Sequence, residues 1–278
     1  MRGPFLLFAS AVALVGGCAD YDAYGENEIV FGISQRVDAA TGKPVVAAGY
    51  EYLRLANKGG WSSLAFYDGD GDGVCYFELY DHRLGPLIVD SGVATWTGGK
   101  LPAPGLQVLA NQPQPSRHEG AGWAAGDMLT FDVSGFAMPR LETVRMLAPR
   151  TELAAIAMTP APAEGAADVS LKATDDIGVT WTPTSREDAT RVMVTIETEE
   201  GDQSLGGVRC FDSSESGSAV IPKKWVARLF SSVDATKPIK GHIAVSSHQQ
   251  TTYYERDGWT AYIVAVSQHR AQAFTGVR

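Results

Sequence analysis

Asp68-Gly69-Asp70-Gly71-Asp72-Gly73 is the stretch of this chain best equipped for chemistry. Carboxylates at alternate positions, with glycines between them, let a short loop curl hard oxygen ligands around Ca²⁺. The helix–loop–helix calcium pattern is not completed, because its closing position is Leu79 and Glu78 falls one place early. The flanking residues also read as strands rather than helices. Glu78 and Asp81 are the carboxylates left to complete a cage begun by Asp68, Asp70 and Asp72. The competing reading is a solvated hairpin turn, since Asp-Gly is a favoured turn dipeptide. An ion held there would stiffen the fold rather than catalyse.

Other catalytic patterns are weak. His82, His118, His242, His248 and His269 show no i,i+2 or i,i+4 pair of the kind that binds zinc. No Gly-x-Ser-x-Gly elbow marks a serine hydrolase. Aspartates and glutamates are scattered, and nothing singles out a facing pair for glycoside hydrolysis. Trp61, Trp96, Trp123, Tyr253, Tyr254 and Trp259 fall near predicted turns, where aromatics either fill a core or anchor a partner.

The elements that would position these groups begin with a leader. Arg2 is followed by an apolar run from Phe5 to Val15. That run is too short to span a bilayer, which takes roughly 20 apolar residues, and it suits a secretory signal. Val15-Gly16-Gly17-Cys18 then resembles the lipobox of bacterial lipoproteins. That resemblance implies cleavage before Cys18, a signal peptide over 1–17, and a diacylglyceryl thioether on the Cys18 sulfur. Ala19 after the cysteine resembles the outer-membrane sorting signal of Gram-negative lipoproteins. The lipid would be the membrane partner, since two or three acyl chains hold firmly where one is marginal. Residues 18–27 form an acidic tether.

Hydrophobic content of 45% and charged content of 20% are those of a globular chain. A formal charge of −9 argues against nucleic acid as a partner. Short β-branched and aromatic runs between Gly, Pro and Asn clusters predict an all-β fold. Two consecutive β-sandwich domains are expected, at 28–150 and 171–278, joined by a Pro/Ala-rich linker over 151–170. The second is expected to be immunoglobulin-like, with Arg191–Glu197 as an alternating strand and one short helix at Pro222–Phe230. Residues 110–126 read as a long loop. Cys75 and Cys210 fall in different predicted domains, so two buried thiols are expected, although export permits a bridge.

Gly126-Asp127-x-Leu129-x-Phe131, Ser134-Gly135-x-x-x-Pro139 and Cys210-Phe-Asp-x-x-x-x-Gly217-Ser-x-Val220-Ile-Pro222 also resemble two-domain β lipoproteins of Gram-negative soil bacteria. That resemblance supplies a fold and an anchor but no catalytic residues. The expected protein is a lipid-anchored module with a non-enzymatic binding or structural role at the cell envelope, acting on a protein or glycan partner. A hydrolytic, carbohydrate-active lipoprotein and a Ca²⁺-stiffened spacer are the alternatives.

Overall fold

The computed structural model describes residues 27–38, 41–55, 60–61, 64–69, 75–80, 92–109, 115–135, 138, 140–184, 191–201, 203–255 and 259–277. Cys18, Asp70, Asp72, Asp81 and His82 lie outside these residues.

The chain is mostly β. In order its strands are β1 (Asn27–Val37), β2 (Pro44–Leu55), β3 (Gly60–Trp61), β4 (Leu64–Gly69), β5 (Cys75–Tyr80) and β6 (Val93–Gly98). Then come β7 (Leu106–Leu109), β8 (Ser116–Glu119), β9 (Met128–Val133), β10 (Leu141–Leu147), β11 (Ala157–Thr159) and β12 (Val169–Lys172). The chain continues through β13 (Ile177–Thr180), β14 (Arg191–Glu200), β15 (Gln203–Ser213) and β16 (Ser218–Ile221). Helix α1 (Lys223–Ser232) precedes the long strands β17 (Ile239–Glu255) and β18 (Trp259–Val277).

One sheet of 11 strands organises the molecule, running β3-β2-β1-β18-β17-β14-β15-β5-β4, with β12 added to β18 and β8 to β2. A four-stranded sheet, β10-β9-β6-β7, and a three-stranded sheet, β11-β13-β16, make the opposing layers. Two apolar cores result. The first lies between β1, β2, β18 and the four-stranded sheet and contains Phe31, Trp96, Trp123, Phe131 and Ile263. The second lies between β5, β14, β15, β17 and the three-stranded sheet with α1, and contains Phe77, Val194, Val208, Trp225 and Phe230. Trp96, Trp123 and Trp259, expected near turns, all point into the interior.

The β-sandwich layering agrees with the sequence; its division along the chain is different. The large sheet does not break at 151–170. β1 pairs in parallel with β18, and β5 pairs with β15, so each expected domain lends strands to the other. The set over 171–278 therefore does not close as a self-contained immunoglobulin-like sandwich. The expected linker itself supplies β11 and the start of β12, and the expected loop over 110–126 contains β8.

The expected Pro222–Phe230 helix forms as α1, with Pro222 in extended conformation at its N-cap. A proline costs nothing there, because the first turn has no intrahelical use for its N–H. Trp225, Val226, Leu229 and Phe230 give α1 one apolar face against the second core.

β14 departs from the expected alternation. From Val192 to Thr198 it is buried on both faces. Val192, Val194 and Ile196 enter the second core, so by the two-residue period Met193, Thr195 and Glu197 occupy the other face. Strands buried on both sides read as continuous runs, as Val192-Met193-Val194 and Tyr262-Ile263-Val264-Ala265-Val266 do.

Cys75 and Cys210 are joined by a disulfide across 135 residues of sequence. The expectation of two separate thiols fails because the domains interleave. Cys75 of β5 lies directly opposite Cys210 of β15 in the antiparallel register, with their Cα atoms 4.1 Å apart. Beside the bridge, Phe77 stacks on Trp225 at 6.2 Å and the Arg228 guanidinium sits 4.3 Å from the Phe77 ring. Covalent bond, ring stack and cation together fasten the β4–β5 hairpin to α1 and β15.

Candidate functional site

The aspartate stretch connects the strands of a hairpin. Asp68, one residue before the end of β4, is opposite Phe77, and Glu78 of β5 is opposite Tyr67. The side chains of Asp68 and Glu78, like Asp70, Asp72 and Asp81, lie outside what the structure describes. Among the described residues no cluster of three His, Cys, Asp or Glu side chains could hold a metal ion.

Charge instead gathers on the second face of β14. Glu197 and Arg209 are both fully buried, with Arg209 Nη2 3.7 Å from Glu197 Oε1. Ser204 Oγ donates to Glu197 Oε2 at 3.4 Å. On the neighbouring strand His242 Nε2 lies 3.7 Å from Glu197 Oε2, and His242 Nδ1–H donates to Glu199 Oε1 at 2.6 Å. Two glycines make room for Glu197. A Cβ on Gly207 would stand 3.0 Å from Glu197 Cγ, and one on Gly241 would stand 1.8 Å from the Glu197 carbonyl oxygen.

The electrostatics follow from this packing. Burial alone would depress the His242 pKa, but the Glu199 hydrogen bond and the charges of Glu197 and Glu199 outweigh it and raise it. Arg36 of β1 lines the same crevice, and its pKa is lowered by burial and by Arg117. The free space among these groups is about 20 Å³. That is room for a water molecule and far below an organic ligand. The cluster is therefore a structural charge network, not a substrate pocket.

His248, buried, and His269, half-buried, sit elsewhere. His248 is held neutral, its pKa lowered to about 3 by burial and then by Arg191, with its ring 5.7 Å from Phe211. His269 is lowered to about 4, chiefly by burial, and its Nε2 shares a 2.6 Å hydrogen bond with Ser247 Oγ. A serine–imidazole pair is the start of a nucleophilic site, but Ser247 is fully buried, so no substrate carbonyl could reach its hydroxyl.

His269 also borders an open groove of about 740 Å³ at the seam between the two cores. One wall is 150–154 and the other 182–184, with Gln268 and His269 of β18 between them. The walls are tied together: Thr182 N–H donates to the Ala154 carbonyl at 2.9 Å, and Trp181 Nε1–H donates to the Ser214 carbonyl at 2.9 Å. Thr184 Oγ1–H donates to Ser214 Oγ at 2.7 Å.

Glu197, Arg209 and the groove residues other than His269 did not stand out from spacing, and His242 and His269 were legible only as histidines without a zinc-type partner. The available signals were the Gly206-Gly207 pair and Gly241, each inside an apolar strand, where glycine marks close backbone approach. Among the described residues no helix is long and apolar enough to cross a membrane. Compared with known protein families and with curated proteins, the chain matches none.

Proposed function

We propose that this chain is a lipid-anchored protein of the bacterial cell envelope with a non-enzymatic binding or structural role. The observation that carries this reading is Val15-Gly16-Gly17-Cys18 behind a short apolar leader. The Cys75–Cys210 disulfide supports it, because such bridges persist in exported proteins and are rare in a reducing cytosol. The folded body supports it too. β1 begins at Asn27, and at about 3.3 Å per residue the stretch from Cys18 spans at most ~30 Å, which holds the body close to the bilayer. A Gram-negative outer membrane is the location favoured by Ala19. The binding role rests on an open groove of mixed polar and apolar lining beside a buried serine.

The test is metabolic labelling with palmitate in a Gram-negative host, followed by membrane fractionation. The wild-type chain should carry label, start at a modified Cys18 by mass spectrometry and sediment with membranes. The Cys18→Ser chain should carry none. An unlabelled wild-type chain, or label that persists in Cys18→Ser, would sink the reading.

A further inference from the structure

The geometry points to the seam groove as a binding site for short peptides with free, charged ends. Four features of the fold converge there. First, the groove's volume of about 740 Å³ lies in the range of small-ligand sites, which favour junctions between structural units. Second, β17 and β18 slip register between Val245 and Ser246, so that His269 is the extra residue on β18. Bulges of this kind re-aim side chains and recur beside functional sites. Third, Ala155, directly after the first wall, has a φ of 55°. A left-handed alanine carries strain of about 1–2 kcal/mol that the surrounding structure must hold in place. Fourth, the walls are already fixed by the hydrogen bonds to Ala154 and Ser214 and by Arg270 Nη1–H, which donates to the Ile156 carbonyl at 2.8 Å. A ligand would meet a preorganised surface rather than order one.

The lining sets the ligand class. Arg150 and Glu152 place opposite charges on one wall, opposite the hydroxyl-bearing Thr182 and Thr184, with the Gln268 amide and the His269 imidazole between. Both signs of charge suit a ligand that carries both, one carboxylate and one ammonium. Among the described residues no Trp, Tyr or Phe lines the groove, so these offer no ring on which a sugar could stack. His269 is uncharged at neutral pH and its Nε2 is taken by Ser247 Oγ, so among the described lining residues Arg150 is the cation. This inference rests on the binding role proposed above, but not on the lipid.

The experiment titrates the full-length chain, purified in detergent, with a tripeptide library bearing free termini. Matched peptides acetylated at the N-terminus or amidated at the C-terminus and a neutral trisaccharide serve as comparisons. Members of the library should bind with Kd at or below about 1 mM, and blocking either end should weaken binding tenfold or more, about the worth of one charge pair. Glu152→Gln should abolish the sensitivity to N-acetylation, and Thr182→Trp should fill the groove and remove binding. Glu152 and Thr182 are exposed, so both variants should unfold at the wild-type temperature. Amidating the ligand tests the Arg150 contact without disturbing the protein.

The inference is overturned if no tripeptide binds folded protein, if the trisaccharide binds as well, or if Thr182→Trp leaves binding intact. Running the Cys18→Ser chain alongside separates the two proposals. Peptide binding without acylation of the wild type would remove the anchor and leave the groove. Acylation without peptide binding would do the reverse.

Discussion

Beneath the four-stranded sheet the first core packs aromatic rings among aliphatic side chains such as Ile29, Leu129 and Ile263. Phe31 lies 4.8 Å from Phe131, and Trp96 lies 4.9 Å from Phe131. At the other end of the same large sheet, β14 turns Val194 and Ile196 into an equally apolar core and buries Glu197 against Arg209 on its back. The two regions share strands and backbone pairing but differ in how reversible their stabilisation is. Apolar contact is non-directional, and every buried methylene adds to it. A buried ion pair must first recover the solvation of both ions and is worth little unless its geometry is complete. The second region should therefore tolerate losing both charges better than losing one.

The largest effect tests that contrast directly. Arg209→Ala should cost about 3–5 kcal/mol, because it leaves the buried Glu197 carboxylate with only the half-buried His242 as a cation. Phe131→Ala in the first core should cost a similar amount, about 3–5 kcal/mol, through lost transfer energy and the cavity left behind. The two should then diverge. The double change Glu197→Leu with Arg209→Met should return most of the loss, whereas no second substitution should rescue Phe131→Ala to that degree. Denaturant unfolding of all four chains reads this out. A double variant as unstable as Arg209→Ala would mean that the charge network is integral to the core.

The disulfide comes next, and it belongs to the second region alone. Cys75→Ser with Cys210→Ser should destabilise by about 2–4 kcal/mol, as expected for a bridge closing a long loop. The loss should concentrate on β4, β5 and α1, which the bridge, the Phe77–Trp225 stack and Arg228 fasten together. Hydrogen exchange would show it as lost protection in β5 and β15, with β6 and β9 unchanged. Uniform loss across both regions would show that the large sheet unfolds as one unit.

These contrasts also explain what could be read in the chain beforehand. The β content, the layering and α1 were legible because they depend on local signals: β-branched runs, turn residues, and Pro222 ahead of an amphipathic turn. The pairing of β5 with β15 was not. It depends on which strand edge is left open after β14 and β17 have paired, and no local pattern carries that. The disulfide was misjudged for the same reason, since placing Cys75 and Cys210 in separate domains made a bridge look distant. Glu197 was hidden because a charged residue near the end of an apolar run reads as the strand's wet face. The doubly apolar run Val192-Met193-Val194 pointed the other way, since a strand with one wet face does not carry it.

Acid should act through His248 and His269. Their folded pKa values are lowered to about 3 and about 4, below the unfolded value of about 6.5. Above that value both states are neutral and neither group matters. As pH falls through it the unfolded chain takes up protons that the folded one refuses. Stability should then decline, by at most about 1.4 kcal/mol per pH unit for each group. His248→Phe should flatten the part of the decline that extends toward pH 3. An unaltered profile would mean that His248 is already protonated in the fold.

His242 should act with the opposite sign and the smallest effect, and it separates the two regions most cleanly. Its folded pKa is raised, so its contribution is fully present below about pH 6.5 and is lost as pH rises through the folded value. The reason lies in the cluster. Glu197 and Glu199 both face His242, Arg209 faces Glu197, and Arg36 lines the same crevice, so deprotonating the imidazole removes one positive charge from a desolvated set. Thermal unfolding from pH 6 to pH 9 should therefore show a gentle decline that His242→Asn abolishes. Its slope should stay below about 1.4 kcal/mol per pH unit, the limit for a single proton. Because Phe131 is apolar and belongs to the first core rather than the Glu197 cluster, Phe131→Ala should shift the whole profile down without changing its slope. A slope that survives in His242→Asn would move the alkaline sensitivity away from the Glu197 cluster.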